Sequence, residues 1–340
     1  MTTSGASSGK DFACVGGYTH QTSCISHSGH LDHAYQPPPG FDPDLWLGEH
    51  IAVSTEYVYS SDCFAEYAPD TRGVVFVYGK DGDIVKTLVP PSGGLDFGSR
   101  LAVDAATDTL FVRYYRFVDS LPRSYVAVYT GAGSWTLATT LSAPGTDTSS
   151  FAFGHDIAFN AGYLAISDPE SGVLMYTGSG SAWSHAATLP GGGAVALSDE
   201  GDLFVGDDIL FYYMRIGDSE WAYAGEIVGS TGRTIDSWAI AVSGDYLLTG
   251  ISNNADSRGG ALLFKRGVEG LYEEIEAILP DSFGHTEATF FGTSVAMSMG
   301  DDEPKALVLT GATTLVYESD SARAACVGGV LAVLALALLL

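Results

Sequence analysis

Positive charge is what this sequence has least of: 15 Lys and Arg stand against 41 Asp and Glu in 340 residues, a formal net charge of −26. A surface with that imbalance repels phosphate backbones and anionic lipid, which sets nucleic-acid binding aside. Charged residues of either sign make up only 16% and hydrophobic residues 46%, a composition that folds around a core and excludes a disordered chain. Cysteine is scarce as well. Cys326 lies in the apolar C-terminus and leaves Cys14, Cys24 and Cys63 as an odd set, in which Cys14 and Cys24 could bridge if the domain is exported. Asn160, Asn253 and Asn254 are the whole asparagine content. None opens an N-x-Ser/Thr acceptor, so an exported form carries O-linked sugar or none.

Catalytic signatures are missing too. No Gly-x-Ser-x-Gly presents a nucleophile. Residues 5–10 fall one residue short of a phosphate loop, and Asp11 stands where Ser or Thr would bind magnesium. Cys14, His20, Cys24, His27, His30 and His33 lie within twenty residues, but their spacing matches no strong tetrahedral zinc pattern, and they read as loop residues.

The two ends point in different directions. Residues 324–340 are apolar without interruption, 17 residues where a spanning helix needs about 20. Small residues at Ser319, Asp320 and Ser321, a spacer over 322–329 and the greasy stretch 330–340 fit a GPI-attachment signal, with Ser319 or Ser321 as the lipid-bearing residue. A retained C-terminal tail anchor, with Arg323 at the near interface and the domain in the cytosol, is the other reading. Residues 1–10 are polar and no apolar signal-peptide region follows them. A cell-surface location therefore needs an upstream signal that this chain lacks.

What the sequence does have is a repeat. A branched residue or Leu followed by Ala recurs as Ile51-Ala52, Leu101-Ala102, Ile157-Ala158, Val195-Ala196, Ile240-Ala241 and Val295-Ala296, at spacings of 50, 56, 38, 45 and 55. Each pair precedes a short apolar run of strand length, such as Leu110-Phe111-Val112 or Leu203-Phe204-Val205. A third run follows, often closed by an aromatic residue, as in 73–78, 125–129 and 172–176. The fourth run pairs an aromatic with an aliphatic six positions on: Trp135 with Leu141, Trp183 with Leu189, Trp221 with Ile227, Tyr272 with Ile278. An even spacing predicts that each pair shares one strand face. Four strands per repeat at a period of 40–50 residues is the blade of a β-propeller. The expected fold is all-β, a propeller of six to seven four-stranded blades plus a C-terminal hydrophobic segment. Residues 1–46 supply a partial first blade or a closing strand, 47–318 the repeats, and 319–340 the attachment signal or anchor.

The first strands read Phe97-Gly98-Ser99-Arg100-Leu101-Ala102, Phe153-Gly154-His155-Asp156-Ile157-Ala158 and Phe291-Gly292-Thr293-Ser294-Val295-Ala296. With Leu309-Thr310-Gly311-Ala312 and Leu203-Phe204-Val205-Gly206 further on, the chain resembles the FG-GAP repeat of integrin-alpha-type β-propellers. The resemblance implies adhesion or surface interaction with a protein or glycan ligand. Many members of that family bind calcium in an Asp-rich loop between the first two strands. Here the loop is Ser198-Asp199-Glu200-Gly201-Asp202, Ser243-Gly244-Asp245 or Asn160-Ala161-Gly162, none with the five or more oxygens that Ca2+ wants. Asp199 and Asp202 are weak metal candidates and read as turn residues; Asp81-Gly82-Asp83 reads as a hairpin turn.

Segments 131–135 and 178–183 look like the turns of sialidase-type propellers but lack the turn Asp. Arg113, Arg116 and Arg123 cluster in one repeat and read as a long solvated loop. Loops at 62–72, 113–123, 253–258 and 281–287 are the expected recognition sites, with Tyr67, Tyr114, Tyr115 and His285 as aromatic candidates. These features describe a membrane-anchored, non-enzymatic propeller without a cofactor. The alternatives are a propeller glycoside hydrolase, which needs paired carboxylates in a central cleft, and a tail-anchored intracellular scaffold.

Overall fold

A computed structural model describes residues 35–297 with their side chains, apart from 39–46, 145–150, 230–238, 252–258, 280–291 and a few single positions. Apart from Tyr35 and residues 294–297, the strands of the first and last blades are described as backbone alone. Among the described residues, the strands form seven four-stranded sheets, each with its strands in chain order. Blade 1 is β1 to β4 (Ala6–Ser8, Phe12–Gly16, Thr22–Ser26, Leu31–Tyr35) and blade 2 is β5 to β8 (Ile51–Val53, Tyr57–Ala68, Thr71–Gly79, Ile84–Leu88). Blade 3 is β9 to β12 (Leu101–Asp104, Thr109–Val118, Leu121–Thr130, Thr136–Leu141) and blade 4 is β13 to β16 (Ile157–Asn160, Tyr163–Asp168, Gly172–Ser179, Ala182–Leu189). Blade 5 is β17 to β20 (Ala194–Leu197, Leu203–Gly206, Leu210–Arg215, Trp221–Ile227) and blade 6 is β21 to β24 (Ile240–Ser243, Tyr246–Ile251, Gly260–Arg266, Tyr272–Ile278). Blade 7 is β25 to β28 (Ser294–Met299, Pro304–Thr310, Thr313–Glu318, Arg323–Gly328). First strands touch in the cyclic order β1, β5, β9, β13, β17, β21, β25 and back to β1, so the ring closes as a propeller around them.

Residues 6–35 thus form a whole blade, and among the described residues the termini exchange no strand. The last repeat, which in sequence stops at Tyr317, gains a fourth strand from β28, whose register runs from Glu318↔Arg323 to Thr313↔Gly328. That strand draws on residues placed at the start of the apolar tail; 329–340, Ser319 and Ser321 lie outside the described residues.

Side chains alternate along each strand, so one blade packs against both neighbours. In β10, Leu110 and Val112 join Tyr59, Val75 and Val77 of blade 2, whereas Phe111 between them joins Leu164, Ile166 and Leu174 of blade 4. This is why the second strands read as continuous apolar runs: β14 and β22 are buried at every position.

One expectation fails for a definite reason. Trp135 packs toward blade 2 and Leu141 toward blade 4; Trp221 and Ile227 likewise face opposite ways. The fourth strand carries an extra residue between them, seen as register shifts at Val128/Tyr129 and Tyr212/Tyr213 and repeated in blades 1, 2, 4 and 6. A bulge adds one residue and flips the parity, so a spacing of six joins opposite faces.

In blades 2 to 5 the tyrosine after the register shift has a task. Tyr78, Tyr129, Tyr176 and Tyr213 donate their hydroxyls to Gln36 O, Val89 O, Ser142 O and Pro190 O at 3.0, 3.3, 3.3 and 3.2 Å. Every acceptor is the residue just past the last strand of the preceding blade. Burial holds these phenols protonated; that of Tyr176 is pushed up to about 12. The latch is missing in blade 6, where Phe264 occupies the position. Two substitutions test it by urea unfolding. Tyr176→Phe is expected to cost about 0.5–1.5 kcal/mol, and Phe264→Tyr, whose hydroxyl would address the carbonyl of Val228, to raise the midpoint. No change for either contradicts the latch.

Candidate recognition face at the leading end of the ring

The leading end of the ring is where the first strands begin. There β5 starts at Ile51, paired with Ser60, and β9 starts at Leu101, paired with Val112. Past Ser60 in β6 and Val112 in β10 the second strands outrun the first: Ser61, Asp62 and Tyr114 are still buried, and the hairpin tips beyond them project from the ring. The segments read as solvated loops over 62–72 and 113–123 are instead paired strands: Glu66↔Arg72 and Ala68↔Thr71 in blade 2, Arg113↔Val126 to Val118↔Leu121 in blade 3. Asp119 and Ser120 turn the second hairpin with φ of 52° and 65°, the two positive values of a tight hairpin turn.

The connection between blades 2 and 3 staples the two hairpins together. Leu95 and Tyr115 exchange backbone hydrogen bonds at 2.7 and 2.9 Å, and Phe97 N donates to Arg72 O at 3.1 Å. Arg72 also forms an ion pair with Asp96 at 2.6 Å. At Gly73, with φ of 104°, a Cβ would lie 2.3 Å from Phe97 O, so only glycine admits this approach. On this support Phe64, Phe117, Leu121 and Phe151 are each about half exposed. Tyr115 packs between Phe117 and Phe151 with ring centroids 5.9 and 5.0 Å away.

The glycine of the Phe-Gly motif caps the second strand of its own blade. Gly98 N donates to Arg113 O and Gly154 N to Ser167 O, both at 3.0 Å, and Gly48 N does the same to Ser61 O. All three have positive φ. Leu47-Gly48 is therefore a further copy of the motif, with Leu replacing Phe, and the identity of one ring hid it in the sequence.

The residues just before the first strands of three successive blades form a polar chain at the channel mouth. Arg100 Nη1 lies 3.1 Å from His50 Nε2, and its Nε lies 3.5 Å from Asp156 Oδ1. Asp156 Oδ2 accepts from Val195 N at 2.9 Å. Since a guanidinium only donates, His50 Nε2 is the acceptor and the ring is neutral. Burial, with Arg100 and Arg113 adding to it, holds the His50 imidazole well below its usual range. His155 is lowered chiefly by burial as well. Burial raises Asp156 and Glu49; Glu49 accepts from the buried thiol of Cys63 at 2.8 Å. Arg113 is spent inside the ring: it donates to Phe153 O, Ser99 Oγ, Ser124 Oγ and Phe151 O at 3.2, 3.0, 3.3 and 2.9 Å. Burial and Arg100 bring it down to about 10.

The remaining sequence candidates are dispersed. Tyr114 is buried in the core between blades 2 and 3, and Tyr115 sits within the exposed cluster. The side chains of Tyr67 and His285 lie outside the described residues. Asp199 and Asp202 sit at the opposite end, in the turn from β17 to β18. Asp199 accepts from Asn160 Nδ2 at 3.0 Å. Asp202 is buried and accepts from Tyr212 Oη and Arg215 N, each at 2.8 Å, with Arg266 3.4 Å away. Their carboxylates thus address different protein partners. Cys14 stands directly opposite Cys24 in register, and Cys24 opposite His33. Sequence reasoning missed His50, Arg100 and Asp156, although all three occupy the column before the branched-Ala pair.

No family model and no curated protein matches the sequence. Among solved structures, the chain is similar to the crystal structure of the RRP9 WD40 repeats, with a TM-score of 0.55 and 14% identity over 88% of this chain and 84% of that one. The likeness establishes the propeller fold.

The His50 chain predicts a pH dependence. With its folded value below its unfolded one, the unfolded chain binds the extra proton, so stability is full above about pH 6.5 and falls as the pH drops below it. Asp156 and Glu49, both raised by burial, act in the opposite sense as the pH falls, so the comparison with a His50 variant isolates the histidine. Thermal melts are expected to show Tm falling from pH 7 to 5.5, and less so in His50→Gln, whose amide oxygen still accepts from Arg100. An equal fall in both proteins contradicts the assignment.

Proposed function

We propose that this chain is a non-enzymatic recognition propeller that binds a partner protein with the leading end of blades 2 to 4. The observation that carries the reading is the stapled pair of hairpins presenting Phe64, Phe117 and Leu121, with Phe151 of the connection after β12 packed against Tyr115. Single exposed apolar residues are ordinary, but a group of aromatic rings on a rigid support is the composition of an interaction hot spot. Protein suits these rings and Leu121 better than glycan does. Against the glycoside hydrolase reading, the carboxylates here have partners of their own: Asp96 with Arg72, Asp156 with Arg100, Glu49 with Cys63.

Kinship with FG-GAP propellers and a role in adhesion belong to the same proposal, supported by the recurring positive-φ glycine at 48, 98, 154 and 292. Membrane attachment is proposed with it, from the apolar composition of 324–340. Because β28 uses 324–328, completing blade 7 and inserting the whole run are mutually exclusive. Phosphatidylinositol-specific phospholipase C tests the GPI form: release from intact cells supports it, and retention contradicts it.

The recognition face is tested by Phe117→Asp combined with Leu121→Asp, with Val268→Asp at the opposite end as control. In quantitative affinity purification of the full chain, the double variant is expected to lose a defined set of proteins by tenfold or more, and the control to keep it. Equal recovery from both contradicts the proposal.

A further inference from the structure

Arg72, Arg100, Arg113, Arg116 and Arg123, a third of the 15 basic residues, gather at the leading end of blades 2 and 3. Three are committed internally. Arg72 is paired with Asp96. Arg100 reaches His50, Ser99 O and Asp156, and Arg113 reaches four oxygens. Arg116 and Arg123 differ. They are direct cross-strand partners in the β10–β11 hairpin, which sets two guanidinium groups side by side on one face. Like charges directly opposite are unfavourable in a sheet, and a chain of net charge −26 has acids to spare, yet neither residue has an ion-pair partner among the described residues. The Nε of each is buried without a hydrogen-bond partner. The Arg116 guanidinium lies over the Tyr125 ring, 4.9 Å from its centroid, and Val118 and Leu121 pair in the same row of the hairpin.

We propose that Arg116 and Arg123 clamp an oxyanion, the carboxylate of an Asp or Glu side chain in an extended acidic segment of the partner. The inference rests on the recognition reading of the leading end and gives chemistry to the hairpin face that carries Leu121, the face opposite Phe117. Two adjacent guanidiniums offer parallel N–H pairs that match the two oxygens of a carboxylate. Tyr125 limits where Arg116 can swing, and Leu121 supplies an apolar neighbour for the segment that carries the acid. An unrelieved pair of like charges is what a site keeps when the neutralising group arrives with the ligand.

The test uses the full chain, with fluorescence anisotropy of labelled hexaglutamate at low salt. Saturable binding is expected, weakened tenfold or more in Arg116→Gln with Arg123→Gln and only partly in the corresponding Lys variants. Binding of labelled hexalysine, driven by the net charge, should not change. Thermal melts of the free proteins separate this role from a structural one: removing the like-charge pair is expected to leave Tm unchanged or higher, and a fall of several degrees overturns the clamp. No saturable hexaglutamate binding, or equal binding by the Gln variant, overturns it. Inorganic phosphate that binds with Arg116 dependence while hexaglutamate does not also overturns the carboxylate assignment. If the Phe117 and Leu121 variant loses its partners while the arginine variant keeps them, the clamp fails and the recognition face stands; if both keep them, both fail.

Discussion

Blades 2 to 6 are four-stranded sheets apolar on both faces, and the burial of those two faces against two neighbours is the constraint from which the rest of the structure follows. A single sheet of this kind cannot exist alone in water, and a stack of them leaves two ends uncovered unless it closes. Closure explains why the N-terminal 35 residues form a complete blade in spite of their polar composition, and why residues of the apolar C-terminus are drawn into β28. It also explains the small Ala of every first strand, which lets seven strands crowd round one axis. The tyrosine latches add direction to this packing. Each joins the third strand of one blade to the exit of the blade before it, so the hydrogen bond forms only when the two sheets meet at the correct height.

A ring held in this way leaves little for its interior to do except pack, and the chemistry collects at one end. The same position that holds Ser61 and Ser167 in blades 2 and 4 holds Arg113 in blade 3. Ser61 Oγ reaches Gly98 O of the next blade at 2.8 Å, and Arg113 reaches Phe153 O of the next blade in the same manner. A column that ties blades together thus carries an arginine without becoming a binding site. Arg116 and Arg123, three and ten positions further on, stand beyond the ring and have no such duty. Distinguishing committed from uncommitted cations is what turns a basic cluster in an acidic protein into a specific proposal.

Much of this was legible in the sequence. The branched-Ala pairs marked the first strands of blades 2 to 7, and the closing aromatics marked the third. Asp81-Gly82-Asp83 does turn a hairpin, with Gly82 at φ of 88°. Blade 1 was faint because its strands are at most five residues long and Ser and Thr take most of β1 and β3. The fourth-strand bulge left no trace in composition: an extra residue changes the face of everything after it, yet Trp135 and Leu141 look like an ordinary even pair. The long hairpins were misread as loops because polar and charged residues replace apolar ones once a strand leaves the ring, although its backbone pairing continues. Leu47-Gly48 escaped because the backbone needs the glycine, whereas the ring before it only fills space. The polar chain from His50 to Asp156 joins residues about fifty positions apart in sequence, and only the ring brings them together.

The proposed recognition site lies at the leading end of blades 2 to 4. The most direct measurement is site-specific photocrosslinking in cells, with a photoreactive residue at position 117 in one protein and at 216 in another; both sites are equally exposed, at 59%, at opposite ends of the ring. Discrete protein adducts are expected from position 117 and none from 216. Adducts from 216 alone, or the same adducts from both, would contradict that placement.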